Sequence, residues 1–129
     1  MTTFTNTLSV HNDWTQPLNG VWVGYFSGSS PGRYFDFPLS GSPLAQGSDL
    51  DLTPPDEPIT SATGETDYWT ITWVDSEGTI WGTSQFISEN IPHLSGNIEI
   101  TIMISSTGAP MVNLTMPDSS VKSMHAQRL

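Results

Sequence analysis

The aromatic residues of this chain are the ones whose chemistry asks for an explanation. Trp22, Trp69, Trp73, Trp81 and Phe86 recur among small hydroxyl and amide side chains, Tyr25, Ser27, Thr83, Ser84 and Gln85. Rings with a few placed polar groups make the usual lining of a small-molecule cavity. The expectation is non-catalytic binding of a small, largely apolar molecule, with the rings as walls and the polar residues as anchors. The same composition suits a second class of ligand, because pyranose rings stack their C–H faces on aromatic rings while Asn, Asp and Gln bridge the hydroxyls. Tyr68, Trp81 and Gln85, or Asn12, Asp13 and Trp14, would serve such a lectin-like surface. A third class is an enzyme that encloses a hydrophobic substrate and cyclises or isomerises it. Asp36, Asp67, Tyr34 and His125 are the acid–base candidates if they face inward. No nucleophile elbow, P-loop or dinucleotide fingerprint marks a known catalytic centre, so catalytic residues stay unassigned.

Other chemistries find less support. Asp49, Asp51, Asp56 and Glu57 are near one another and oxygen-rich, but they lack the glycine and terminal glutamate of a calcium loop. His11, His93 and His125 are isolated and there is no cysteine, so no zinc set forms. No metal or cofactor is expected. Thirteen acids face three basic residues, Arg33, Lys122 and Arg128, for a net charge of −10. Such a surface repels phosphate backbones and anionic lipid, which removes nucleic acid and membrane from the expected partners. No apolar run nears the roughly 20 residues of a membrane helix. "MTTFTNTLSV" lacks the basic start and apolar block of a signal peptide. A soluble, cytoplasmic protein is the default expectation.

These side chains must be carried on strands. Strong helix formers are scarce and turn formers abundant. "IEITIMI" (98–104) alternates Ile98, Ile100, Ile102 and Ile104 with Glu99, Thr101 and Met103, the period of a strand with one buried face. The turn "STGAP", a strand through Val112, Leu114 and Met116, the turn "PDSS" and a strand from Val121 to about Gln127 complete an antiparallel meander. In "DYWTITWVDSEGTIWGTSQFI" a four-residue loop, Asp75–Gly78, sets Val74 opposite Thr79. Trp69, Ile71 and Trp73 then share a face with Ile80, Gly82, Ser84 and Phe86, and Trp81 falls on the other with Tyr68, Thr70, Thr72, Thr83 and Gln85. A slip of one residue would exchange the faces. Phe4, Leu8 and Val10 alternate with Thr5, Thr7 and Ser9, "RYFDFPL" is a further strand, and "VWVGYF" (21–26) is apolar on both sides and needs cover on both. A homo-oligomer is one way to supply it. Residues 40–66, rich in Pro, Ser and Asp, read as one long loop with a short strand near Leu50–Leu52, bordering the binding site. The whole, residues 1–129, is a single all-β domain of about eight strands.

Gly20-x-Trp22 near the start of such a chain resembles the first-strand signature of the calycin barrels, the lipocalins, fatty-acid-binding proteins and avidins. "WTITWVDSEGTIWGTSQFISE", with Trp69, Trp73 and Trp81, is similar to the central avidin hairpin with a shorter loop. Together the two segments cover about thirty of the 129 residues. The resemblance implies an antiparallel, eight-stranded up-and-down barrel, with Arg128 over Trp22 closing one end; a β-sandwich is the alternative. The residues matching the avidin biotin contacts are Gly24, Ile102 and Met111, with Asp118 reached only by shifting the alignment, so the resemblance implies a barrel and not biotin. "WVGYFSG" is also similar to the Trp-x-Gly opening of nitrobindins, which would make His125 a heme ligand. The expectation is an acidic, calycin-like barrel whose cavity takes a small molecule.

Overall fold

The computed structural model describes residues 3–27, 33–36, 43–53, 58–62, 66–83, 87–92 and 94–129, with backbone alone for Thr3, Tyr34, Asp36, Ser61, Ala62 and Ile87. These residues form no helix and build two six-stranded sheets. In the first, β11 (Val121–His125), β10 (Pro110–Thr115), β9 (Gly96–Ile104), β1 (Thr3–Asp13) and β4 (Asp49–Asp51) lie in that order. There, β5 (Ile59–Ala62) also pairs with β1. In the second the order is β12 (Gln127–Arg128), β7 (Ile80–Gly82), β6 (Asp67–Asp75), β2 (Leu18–Ser27) and β3 (Arg33–Asp36), with β8 (Ile87–Ser88) also on β6.

Alternation along the strands sends one side chain in two to a common core. From the first sheet come Leu8 and Val10, Ile98, Ile100 and Ile102, and Val112 and Leu114. From the second come Val21, Val23 and Tyr25 on β2 and Trp69, Ile71 and Trp73 on β6. All belong to one hydrophobic cluster. Each such side chain contributes about 1.5–3 kcal/mol by leaving water, so the core is the dominant force holding the two sheets.

Three hairpins share one turn geometry. In Asp75–Thr79 the amide of Gly78 donates to the Asp75 carbonyl at 3.1 Å and that of Asp75 to the Thr79 carbonyl at 3.0 Å. Gly78, at φ 84°, takes the left-handed position that ends a three-residue loop. Gly108 at φ 83° does the same between β9 and β10, and Ser119 at φ 70° between β10 and β11.

The meander β9–β10–β11 forms as its periodicity implies, with Val112 opposite Ile102 and Met124. Four features differ from the sequence expectation. First, β1 runs parallel to β9, from Asn6 beside Gly96 to Asp13 beside Met103, so the first sheet is mixed rather than antiparallel throughout. Second, the last strand is two: Ala126 separates β11 from β12, which crosses to the second sheet and pairs with β7. Third, the 40–66 stretch supplies, besides the short strand expected near Leu50–Leu52 (β4), the strand β5, and Leu44 bridges to Leu18. Fourth, the 75–79 loop holds three residues, not four. Asp75 stays in the strand because its carboxylate Oδ1 accepts from the amides of Glu77 and Thr79 at 2.9 and 3.0 Å. Val74 therefore faces Ile80, and Trp81 faces Trp73 instead of lying on the opposite side.

Candidate functional site

The side of the second sheet turned away from the core carries the surface best equipped to hold a ligand. On β2, Trp22, Gly24 and Phe26 alternate with the buried Val21, Val23 and Tyr25. On β6, Thr72, Thr70 and Tyr68 alternate with Trp73, Ile71 and Trp69. The register matches them in pairs, Trp22 with Thr72, Gly24 with Thr70 and Phe26 with Tyr68. Trp22, Phe26, Tyr68, Thr70 and Thr72 are all half-buried, while Gly24 is buried between its neighbours. The rings of Phe26 and Tyr68 stack, with centroids 4.9 Å apart and planes at 23°. Thr70 Oγ1 lies 3.3 Å from the hydroxyl of Thr83, whose own Oγ1 accepts from the Ile71 amide at 3.1 Å. The result is a sheet face on which rings and hydroxyls sit side by side.

This face exists because β2 and β6 are central in their sheet, each flanked by strands on both edges. Aromatic and β-branched residues suit such positions. On β7, next to Thr72, Gly82 leaves room for the side chain of Leu129, whose amide donates to the Ile80 carbonyl at 2.9 Å.

The inner polar groups have different roles. Asp67 is 3% exposed; its Oδ1 accepts from the Tyr25 hydroxyl at 2.6 Å and its Oδ2 from the Ile91 amide at 2.8 Å. Its own amide donates to Asn90 Oδ1 at 3.0 Å, and the Trp69 indole donates to the Glu89 carbonyl at 2.8 Å. The carboxylate thus holds Ile91, while the backbone of Asp67 and the Trp69 indole hold Asn90 and Glu89, against β6. Asp75, also buried, closes its hairpin and accepts from the Trp81 indole at 3.0 Å. Trp81 leans on Trp14, centroids 5.2 Å apart, and Trp14 on Trp73 at 5.5 Å, making an indole cluster at one end of the core. Asn12 serves this end by donating to the Leu44 carbonyl at 2.9 Å and accepting from the Trp14 amide at 2.8 Å.

Of the ten expected binding residues, Tyr25, Trp69 and Trp73 belong to the core cluster, Ser27 and Thr83 are buried, and Trp81 is half-buried beside Trp14. Trp22 lies on the opposite side of the sheet, apart from Tyr25, Trp69 and Trp73. Ser84, Gln85 and Phe86 lie outside the described residues, as do His93, Asp56 and Glu57. Of the acid–base candidates, Asp67 is placed as above, the side chains of Tyr34 and Asp36 are outside the described set, and His125 is exposed on β11 opposite Met111. His11 Nδ1 is 2.5 Å from Asp49 Oδ1 at the β1–β4 pairing. Arg128, expected over Trp22, stands opposite Trp81. Arg33 donates to the Pro58 carbonyl at 3.0 Å and rests over the Phe35 ring at 4.7 Å. The sequence reading put Tyr68, Thr70 and Thr72 on one face together, but it missed Phe26. The both-sided apolarity of "VWVGYF" left no mark of which residues point out.

The chain matches no protein-family model and no curated protein. The functional reading rests on the geometry.

Proposed function

We propose that the protein is a non-catalytic binding module, its two sheets packed as a sandwich, that takes carbohydrate on the outer face of β2 and β6. One observation carries this: Trp22 and the stacked Phe26–Tyr68 pair lie on the same side of the sheet, away from the core, with Thr70 and Thr72 between and beside them. Flat rings offer a stacking surface for pyranose C–H faces, and threonine hydroxyls both donate and accept towards sugar hydroxyls.

The placement of the other aromatics supports this surface over an interior cavity. Trp69 and Trp73, the proposed cavity walls, are 0% exposed and belong to the packed core. The carboxylate of Asp67, one of the acid–base candidates, is engaged by the Tyr25 hydroxyl and the Ile91 amide. The net charge of −10 favours neutral glycans over sulfated or sialylated ones, which the field of the protein repels.

The test is a glycan array of neutral and acidic glycans, followed by calorimetric titration of wild type, Trp22→Ala and Trp22→Phe. Neutral glycans are expected to bind, Trp22→Ala to lose most of that binding with an unchanged circular dichroism spectrum, and Trp22→Phe to keep part of it. The reading fails if no glycan binds at millimolar concentration. It fails equally if Trp22→Ala abolishes a concentration-dependent dimer instead, which would make this face a contact between copies. A small apolar molecule retained in native mass spectrometry, unaffected by Trp22→Ala, would return the function to the interior.

A further inference from the structure

We infer that this face, on the carbohydrate reading just given, is built for a linear oligosaccharide of three or more pyranose units rather than for a single sugar. The spacing of its rings carries the argument. Trp22 and Phe26 are four residues apart on one strand, so at a rise of about 3.3 Å per residue their Cα atoms are ~13 Å apart. A pyranose ring spans less than half of that distance. A sugar stacked on Trp22 therefore leaves the Phe26–Tyr68 pair untouched, and both are engaged only by a chain with a unit at each end and another between.

The middle position is arranged accordingly. Gly24 puts no side chain between the two aromatic ends, and its β6 partner is Thr70, a hydroxyl rather than a ring. Along β2 the positions thus run from Trp22 with Thr72, through Gly24 with Thr70, to Phe26 with Tyr68. Residue types that can meet a sugar recur at each step of the pleat. A single-sugar site would instead gather its rings and hydroxyls around one point.

The test uses neutral homopolymer series, cello-, chito-, manno- and malto-oligosaccharides, each from monosaccharide to hexasaccharide, titrated into the full chain. In the series that binds, the middle unit meets no ring, so affinity is expected to change little from mono- to disaccharide, to rise by about tenfold at the trisaccharide, which engages the second ring site, and then to level. Phe26→Leu, which keeps apolar volume but removes the ring face, should lower trisaccharide affinity by about tenfold while leaving the monosaccharide unchanged. A monosaccharide that binds as tightly as its trisaccharide, with Phe26→Leu neutral, overturns the extended site while leaving carbohydrate binding in place. Failure of every series overturns both. Lost trisaccharide binding with a changed thermal midpoint in Phe26→Leu is checked against Tyr68→Leu, which should repeat the chain-length effect if the subsite is real and not if folding is at fault.

Discussion

Asn6 sits on the core-facing side of β1, paired with Ile59 on one side and Gly96 on the other, and is 1% exposed. Among the described residues, neither its amide nitrogen nor its amide oxygen has a hydrogen-bond partner. Each buried, unmet polar group costs about 1–3 kcal/mol, so the pair charges the fold several kcal/mol. Asn6→Leu removes both groups with the same branching but a larger side chain, adding apolar burial of about 2 kcal/mol against about 2 kcal/mol for overpacking, so the relief of the unmet groups, about 2 kcal/mol at its lower end, is what remains. A net gain of about 2 kcal/mol is the expected outcome, which for a domain of this size raises Tm by roughly 6–10 °C. Urea unfolding should show a higher midpoint at unchanged slope, because the surface exposed on unfolding hardly changes. Asn6→Asp should do the reverse by burying a charge. A loss of stability in Asn6→Leu would refute the reasoning, and would mean that the amide binds a buried water worth more than the leucine contacts.

Gly82→Ala should be costly for a steric reason: its Cβ would stand 3.0 Å from Leu129 Cδ1 and 3.1 Å from both the Ile71 carbonyl and Thr72 Oγ1. A loss of about 1–3 kcal/mol is expected, with faster hydrogen exchange at the Leu129 amide as β12 loosens. Ser119, at φ 70°, occupies a position that glycine fills in the two sister hairpins. Ser119→Gly should stabilise by up to about 1 kcal/mol, read as a small rise in the thermal midpoint. In the same turn the side-chain and backbone hydrogen bonds from Ser120 hold the exposed Asp118 carboxyl below the ordinary carboxylate value. A depressed folded-state value means that the stabilisation is present above the unfolded value and lost as pH falls through the folded one. The Ser120 amide resonance should therefore shift on acidification in wild type and stay flat in Asp118→Asn.

Local rules were legible, and long-range ones were not. The alternation of Ile98, Ile100 and Ile102 and the turn residues after them suffice for β9, β10 and their pairing, since neighbours in sequence are neighbours in space. The all-β class follows from the same signals. The parallel β1–β9 seam leaves no local trace, as its partners are ninety residues apart (Asn6 beside Gly96) and parallel pairing needs no turn. The face carrying Trp81 hung on whether the loop ending at Gly78 holds three residues or four, a choice made by the amides of Glu77 and Thr79, which donate to the Asp75 carboxylate. At the candidate site the threonines and Tyr68 were readable as one face because β6 alternates cleanly. Trp22 and Phe26 were not separable from Val21, Val23 and Tyr25, because hydrophobicity is nearly equal on the two sides of β2.

The position of β1 has a consequence for how the chain assembles. β1 is made before every strand it pairs with, yet it sits inside its sheet, with β9 along one edge and β4 and β5 along the other. The hairpins β6–β7 and β9–β10–β11 close short loops and can form quickly, whereas β1 must wait for residues synthesised much later and meet them at a high cost in loop entropy. Docking of the first strand is then the late step, with refolding in the millisecond-to-second range of nonlocal β proteins. Val10→Ala, buried in that seam, should speed unfolding in stopped-flow experiments while leaving the refolding rate nearly unchanged. Until β1 docks, both flanks of its slot stay open. The N-terminal strand of another copy fits that slot as well as its own, so the seam that completes the fold is also where two chains would exchange strands during crowded refolding.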